Sequence, residues 1–348
     1  MGPEGSVKCA RCGRPARVRV QYAKLNLCDE HFIEYLRGRV LRLLARLARP
    51  RDIRRVLVAV SGGKDSVSLL DILVGIRELA GLKEVYGLHI DLGIGSYSEE
   101  SLAVAKEACE RLGVPCVALS LRDLLGLGVP ELAKASRRPA CSVCGMVKRY
   151  IINAVGLELG VDAVVLGHHM DDILVFALKD LFTGDLRDLS KLAPLSPGVD
   201  GLLVTRIRPL YEVYEQDLAL YSALRGLRVV GGSCPFKHED FLKAALRDLL
   251  RKLEEEAPGF EISLSRRIAR DLLPRLSQGA QEGSAVPCKY CGMPSSNGVC
   301  SFCRLTEKVF GRPMGPIVRE GIKAAVLRLR ASSATNGPHP GAPASGAR

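Results

Sequence analysis

The sequence predicts an α/β fold, a doubly wound and mostly parallel sheet with a small cysteine-rich module near each end of the chain. Three observations predict it. Between residues 56 and 210, short β-branched runs alternate with helix-patterned stretches, which implies a parallel sheet covered on both faces. Near the start, Cys9, Cys12, Cys28 and His31 follow a C-x2-C-x15-C-x2-H pattern. Near the end, Cys288, Cys291, Cys300 and Cys303 follow C-x2-C-x8-C-x2-C. Two knuckles offering four soft ligands suit tetrahedral zinc, so each module reads as a zinc finger and two zinc ions are expected.

Taken in order, residues 1–34 form the first finger and 35–52 a basic amphipathic linker helix, EYLRGRVLRLLARLARP, stopped by Pro50. A catalytic domain is expected over 53–238. It opens with VLVAV (56–60), a buried parallel strand. The turn SGGKDS and a helix, SVSLLDILVGIREL, follow. VYGLHI (85–90) is a second strand, leading to a glycine-rich loop, DLGIGSY. SEESLAVAKEACERL is a helix, with Ser98 and Ser101 beside early glutamates as a capping-box signature. VPCVALS, DAVVLG and LLVTRIRPL supply further strands. The ligand site should lie outside the carboxyl ends of these strands. Residues 239–280 are helical, 281–330 hold the second finger and a helix, and 331–348, rich in Pro, Gly and small residues, read as a disordered tail.

The chain of 348 residues carries a net charge of +12, unevenly spread. Residues 1–55 hold 14 Lys/Arg against 5 Asp/Glu, and residues 266–330 hold 12 against 4, so both ends are basic. Basic ends fit a polyanion, most simply nucleic acid, or the solvated helix faces of an arginine-rich chain; charge alone leaves both open. Aromatics make up 5% and tryptophan is absent, so any RNA grip should rest on phosphate and shape contacts, with the arginines of 11–19 as first candidates. No apolar run is long enough to cross a membrane and MGPEGSVKCARC has no apolar signal core, so a cytoplasmic protein is expected. In that setting twelve cysteines point to metal rather than disulfides. Cys109 and Cys116, on a helix and a strand, read as small core residues.

Two motifs carry the chemistry. SGGKDS lies between a strand and a helix, where backbone N–H groups and the helix dipole attract anions. Gly62 and Gly63 allow close approach of a phosphate, Lys64 adds charge, and Ser61 and Ser66 add hydroxyls, with Asp65 between. Asp65 after the lysine excludes the Walker loop. GHHMDD follows DAVVLG, so Asp171 and Asp172 should reach the same sheet edge. Adjacent carboxylates there can hold magnesium on a polyphosphate, or one of them can cap the next helix. His168 and His169 stay undecided between turn and functional roles.

SGGKDS matches the PP-loop of ATP pyrophosphatases at all six positions. With DLGIGSYS, CSVCGMVKRYIIN, GHHMDD, GGSCP and two flanking fingers in that order, the chain resembles the tRNA 2-thiolation enzymes over roughly residues 7–325. It is most similar to the TtuA branch, the tRNA-5-methyluridine 2-sulfurtransferases, because Leu92 stands where relatives acting on the wobble uridine carry an acidic residue. The resemblance implies an adenine nucleotide alpha hydrolase-like fold. It implies ATP and magnesium as co-substrates for adenylating O2 of a tRNA uridine, most simply the T-loop 5-methyluridine at tRNA position 54. Ala59, His89 and Gly167 complete the implied nucleotide site. Cys141, Cys144 and Cys234 match the ligands of a [4Fe–4S] cluster, Lys148 a lysine near the catalytic centre, and one of Asp171 and Asp172 a catalytic aspartate. A ubiquitin-like sulfur carrier with a C-terminal thiocarboxylate and a homodimer are also implied. Ile173, where an acidic residue is usual, and the residue after the proline of GGSCPF depart from the pattern.

The target chemistry explains this inventory. The C2 carbonyl oxygen of uracil is a poor leaving group, and adenylation lets it depart as AMP. Sulfur could then arrive by a persulfide with a resolving cysteine, or through a cluster held by three cysteines with one iron left open. The count favours the cluster, since a redox pair needs no Cys234. Competing functions are a wobble-uridine thiolase, a PP-loop amidotransferase or ligase, which needs no such cysteines, and a non-catalytic zinc-finger RNA binder, which leaves SGGKDS and GHHMDD unexplained.

Overall fold

The computed structural model describes residues 7–48, 51–237, 240–279 and 285–335. Its centre is a six-stranded sheet of β3 (Arg55–Ala59), β4 (Glu84–Asp91), β5 (Cys116–Ser120), β6 (Ala163–Val165), β7 (Leu195–Ser196) and β8 (Thr205–Ile207), after a finger hairpin of β1 (Val18–Val20) and β2 (Leu25–Leu27). The order is β5-β4-β3-β6-β8-β7, parallel throughout except for the antiparallel edge pair β7–β8. The expected doubly wound α/β class is therefore the observed one. Strand order reverses between β3 and its neighbours β4 and β6, and the crevice above that point is where such sheets bind ligands.

Alternation along each strand divides the core in two. Val56, Val58, Ala163, Val165 and Ile207 face the linker helix Asp29–Ala48, the helix Lys64–Gly75 and the helix Gly95–Arg111. Leu57, Leu88, Val117, Leu119 and Val164 face the helix Ala140–Leu159, the C-terminal finger and the helix Gly315–Thr335. Both fingers are built into these cores. Cys9, Cys28 and Phe32 belong to the first, and Cys288, Cys300, Cys303 and Phe302 to the second. The second finger, with β9 (Val286–Pro287) and β10 (Pro294–Ser295), braces the helix Ala140–Leu159 directly. Tyr150 stacks on Phe302 with ring centroids 4.0 Å apart, and its hydroxyl donates to Gly315 O at 3.0 Å.

Several local expectations change. The expected loop DLGIGSY is shorter, because its helix begins at Gly95. Ser98 therefore sits inside the first turn and is not the cap; its hydroxyl accepts the N–H of Ile94 at 2.9 Å. Residues 331–335, expected in a tail, continue the helix Gly315–Thr335. The rest of that tail and Pro50 lie outside the described residues. The described residues of the expected 239–280 segment are mostly helical, as Phe241–Glu256, Phe260–Arg267, a π-turn over Ile268–Leu272, and Leu273–Gly279. No helix among the described residues is long and apolar enough to cross a membrane.

Candidate active site

β3 ends at Ala59, and SGGKDS turns the chain into the helix Lys64–Gly75 with Gly63 as its N-cap. The turn is held by its own serines. Ser61 N–H donates to Ser66 Oγ at 3.0 Å, Ser66 Oγ donates to Gly63 O at 3.0 Å, and the two hydroxyls lie 3.1 Å apart. Gly62 has φ +84, and a Cβ there would lie 2.9 Å from Val230 Cγ2 and 3.0 Å from Ser101 O. The N–H groups of Gly63, Lys64 and Asp65, at the start of the helix, have no intrahelical partner and are a ready anion site. Gly167 packs against it, with Ser66 N 3.4 Å from where a Cβ would stand. His89, buried on β4, hydrogen-bonds Val60 O through Nδ1 at 2.9 Å, while its Nε2 has no partner among the described residues. Burial holds its pKa below the ordinary histidine value.

Lys64 is already engaged. Its Nζ lies 2.7 Å from Glu215 Oε1 and 3.1 Å from Asp65 Oδ1. Burial works to lower its pKa, but Glu215 and Asp65 raise it above the usual lysine value. Neither Glu215 nor Arg247, which sits 3.4 Å from Glu215 and 3.6 Å from Asp172, was signalled by any sequence motif.

At β6, the helix Met170–Thr183 is capped by His169, not by an aspartate. Asp172 N–H approaches His169 Nδ1 at 3.5 Å when the ring is neutral. When protonated, the ring pairs with Asp171 Oδ2 (3.4 Å) and Asp172 Oδ2 (3.3 Å). Burial would lower the His169 pKa, yet the two carboxylates raise it. Burial would raise Asp171, yet His169 and the Glu215 N–H, which donates to it at 2.9 Å, hold it below the usual carboxylate range. Asp171 is thus committed to structure, whereas Asp172 keeps only longer contacts. His168, left open by the sequence, is exposed, and desolvation by the surrounding protein and then Arg208 lower its pKa.

Cys141 and Cys144 lie on the first turns of the helix Ala140–Leu159. Cys141 Sγ donates to Phe236 O at 3.2 Å, which ties that helix end to the loop carrying Cys234. Burial raises the Cys144 pKa, Lys148 lowers it, and the charges of Cys234 and Cys141 raise it further, so all three thiols share one environment. Three soft donors, Cys141 exposed and Cys144 and Cys234 half-buried, beside a lysine are a donor set that fits an iron–sulfur cluster. Lys148 also acts electrostatically on His89 and His168, which places it between the cysteines and the sheet edge. An open cleft of about 660 Å³ adjoins this triad, lined by Gly93–Tyr97, Arg122 and Ser233–Phe236 apart from Cys234.

Each finger gathers its four ligand atoms within 4.8 Å of one another. Zinc–sulfur bonds of about 2.3 Å in a tetrahedron put sulfurs about 3.8 Å apart. Cys12–Cys28 at 3.8 Å, Cys291–Cys300 at 3.7 Å and Cys291–Cys303 at 3.5 Å fit that figure. His31 turns Nδ1 toward Cys9 (3.5 Å) and Cys28 (3.2 Å), leaving Nε2 toward Glu34. The finger arginines are not free cations. Arg11 pairs with Glu34 (3.1 Å), Arg14 with Glu30, Arg17 with Asp29 (3.3 Å), and Arg19 donates to Asn26 (3.0 Å). Cys109 and Cys116 meet behind Gly87, where a Cβ would lie 2.6 Å and 3.3 Å from their sulfurs.

A family model described as a PP-loop domain matches residues 36–252, and one described as the N-terminal LIM domain of the 2-thiouridine synthetase TtuA matches residues 8–33. The tRNA-5-methyluridine(54) 2-sulfurtransferase of Thermus thermophilus is 37% identical over 305 residues, 87% of this chain and 92% of that protein. The chain belongs to the tRNA 2-thiolation family of PP-loop enzymes. A second member, the tRNA-5-methyluridine(54) 2-sulfurtransferase of Pyrococcus horikoshii, is 35% identical over 86% of this chain and 93% of its own. The thiolase fold is also that of the U34-tRNA thiolase NcsA from Methanococcus maripaludis, solved with its [4Fe–4S] cluster, with TM-score 0.70, 26% identity, and 86% of this chain and 95% of that one covered. Ligase and non-catalytic readings give way to this family of enzymes.

Proposed function

We propose that the protein is an ATP-dependent tRNA 2-thiolation enzyme acting on the T-loop 5-methyluridine at tRNA position 54. The observation carrying this reading is the convergence of the phosphate loop, Asp172 and the three-cysteine set on one sheet edge, with Lys148 between them. Free N–H groups at Gly63–Asp65 hold the β- and γ-phosphates, and Lys64 leaves Glu215 to neutralise them. Magnesium beside Asp172 would neutralise further phosphate charge. Uracil O2 then bonds to the α-phosphorus as the bond to the β-phosphate oxygen breaks and pyrophosphate departs. Lys148 offsets charge on the α-phosphoryl group and on the Cys144 thiolate. Sulfur adds at C2, and AMP leaves with the original oxygen.

Cys141, Cys144 and Cys234 would hold a [4Fe–4S] cluster, which supplies one iron without a protein ligand as the place where sulfur is carried. The sulfur source is a ubiquitin-like carrier with a C-terminal thiocarboxylate, whose extended terminus suits the cleft beside Cys234. The enzyme acts in the cytoplasm as a homodimer; exposed Phe182 and Phe241, on two helices packed together, are apolar area that a second copy can bury. The test is anaerobic purification with iron, sulfide and visible-absorption assays, and mapping of the thiolated position. Iron-free, colourless protein that thiolates at full rate would overturn the cluster, and thiolation at the wobble base would overturn the T-loop target.

A further inference from the structure

Arg206 on β8, half-buried, and Arg208 just beyond its end, buried, are unlike the paired cations Lys64 and Arg247. Arg206 and Arg208 alternate with Ile207, so both side chains share the face of Val204. That face meets the helix Ala140–Leu159: Asn153 Nδ2 donates to Leu202 O at 3.0 Å, and Val204 N–H donates to Asn153 Oδ1 at 3.0 Å. One turn before Asn153, the guanidinium of Arg149 lies across Gly145, where a Cβ would stand 3.1 Å from its Nη1. The three charges are close enough to act on one another in sequence, Arg149 on Arg206 and Arg206 on Arg208, and that of Arg208 also reaches His168.

None of the three has a carboxylate partner among the described residues. Arg208 is 7% exposed; its Nη1 and Nη2 donate to Ala193 O, Ser196 Oγ and Lys191 O, while Nε is buried with no partner. Arg206, half-buried, has no hydrogen bond or ion pair among the described residues. Burial and then the neighbouring cation lower both: Arg149 acts on Arg206, and Arg206 on Arg208, which falls to about 10. By contrast, Arg11, Arg14 and Arg17 of the finger are each neutralised by an acid. Like charges held together without counter-charge in a partly dry seam destabilise the free protein, so a dianion or monoanion supplied from outside is the missing partner.

We infer that Arg149 and Arg206, with the buried charge of Arg208 behind them, form a binding site for a backbone phosphate of the bound RNA, next to the nucleotide that enters the active site. An RNA phosphate is favoured over pyrophosphate because the phosphate loop lies on β3, two strands away from β8. The inference rests on the tRNA reading above.

The test measures tRNA affinity against KCl concentration, ATP affinity, inhibition by inorganic pyrophosphate, and thermal midpoint, for wild type, Arg206→Met and the exposed-site variant Arg149→Gln. The expected result for R206M is a loss of tRNA affinity of about tenfold and a salt slope shallower by about one ion. ATP affinity should stay unchanged, and the thermal midpoint should not fall, because an unpaired cation has been removed. R149Q should show the same flattening of the salt slope even if R206M folds poorly. Unchanged tRNA affinity and slope in both variants, with thiolation intact, would overturn this inference alone. Weakened pyrophosphate inhibition with unaltered tRNA binding would also overturn it. A wild-type chain that bound no tRNA would overturn the functional reading as well.

Discussion

Gly62→Ala tests the phosphate loop most sharply. At φ +84 an alanine enters the left-handed region, which costs an L-residue about 1–2 kcal/mol. Its Cβ would also meet Val230 Cγ2 at 2.9 Å and Ser101 O at 3.0 Å. The valine methyl can yield; the carbonyl belongs to the helix Gly95–Arg111 and cannot move alone. Overpacking of this kind costs about 1–3 kcal/mol, so a total near 2–5 kcal/mol is expected. Because Val230 N–H also donates to Gly62 O at 3.0 Å, the strain acts on the loop that leads to Cys234. Urea denaturation should show a lower midpoint at unchanged slope, and calorimetric titration an ATP affinity at least about tenfold weaker. Adding Val230→Ala should recover only part of the loss, since it relieves neither φ nor the carbonyl contact. A single variant within about 0.5 kcal/mol of wild type with normal ATP binding would refute the reasoning.

The remaining predictions concern charge and metal. In Asp171→Asn, the stability lost should be largest near pH 5–6 and shrink toward pH 9. Asp171 is depressed, so its contribution persists above the normal carboxylate pKa, and His169 is raised, so its contribution fades only as pH climbs through that raised value; a difference independent of pH would contradict the pairing. Glu261, 4% exposed, is raised to about 8 by burial and then by Asp171. Wild type should therefore lose stability as pH rises from the ordinary value of 4.5 to about 8, and Glu261→Gln should lose less over that range; parallel pH curves would count against it. Elemental analysis should find two zinc ions per chain, falling to one in Cys28→Ser or Cys300→Ser. Since each finger shares a main core, either variant should also lower the thermal midpoint of the whole domain, and a separate low-temperature transition for the finger would speak against that coupling.

The parts legible in the sequence share one property: their signal is local. Ligand spacing gave both fingers, because Cys–x2–Cys and Cys–x2–His knuckles are closed by a few backbone bonds. SGGKDS and the alternation of VLVAV and VYGLHI placed the crevice, since the strand–turn–helix geometry resides in adjacent residues. What escaped depends on distant partners. The grip of Glu215 on Lys64 spans 151 positions, and no pattern around YEQDL announces it. The capping role offered to one of the aspartates as an alternative is taken by His169, whose ring meets the N–H of Asp172 three positions on. β7 has two residues and runs antiparallel, too short for any period to show. Arg11, Arg14 and Arg17 were RNA candidates because their acids, Glu34, Glu30 and Asp29, lie on the next helix, while Arg19 meets only the neutral Asn26.

Charge around the crevice is arranged so that carboxylates stand where a nucleotide's phosphates would. Lys64 is held by Glu215 and Asp65, and Arg247 spans Glu215 and Asp172. These carboxylates occupy the roles that phosphate oxygens would take, so the lysine and arginine are not stranded as bare cations in a half-buried site. When a triphosphate enters, Lys64 exchanges one anionic partner for another, and the net cost is the difference between two ion pairs instead of a full desolvation. The same exchange frees Glu215 and Asp172 as carboxylates beside the phosphates, where a divalent cation can take the place that Arg247 and Lys64 leave. Helix Phe241–Glu256 joins this network through Arg247 while packing on the helix that carries Asp172. The β8 arginines lack such a stand-in, and that asymmetry separates the two anion sites: one is kept neutral by the protein until ATP arrives, and the other is left charged for the RNA.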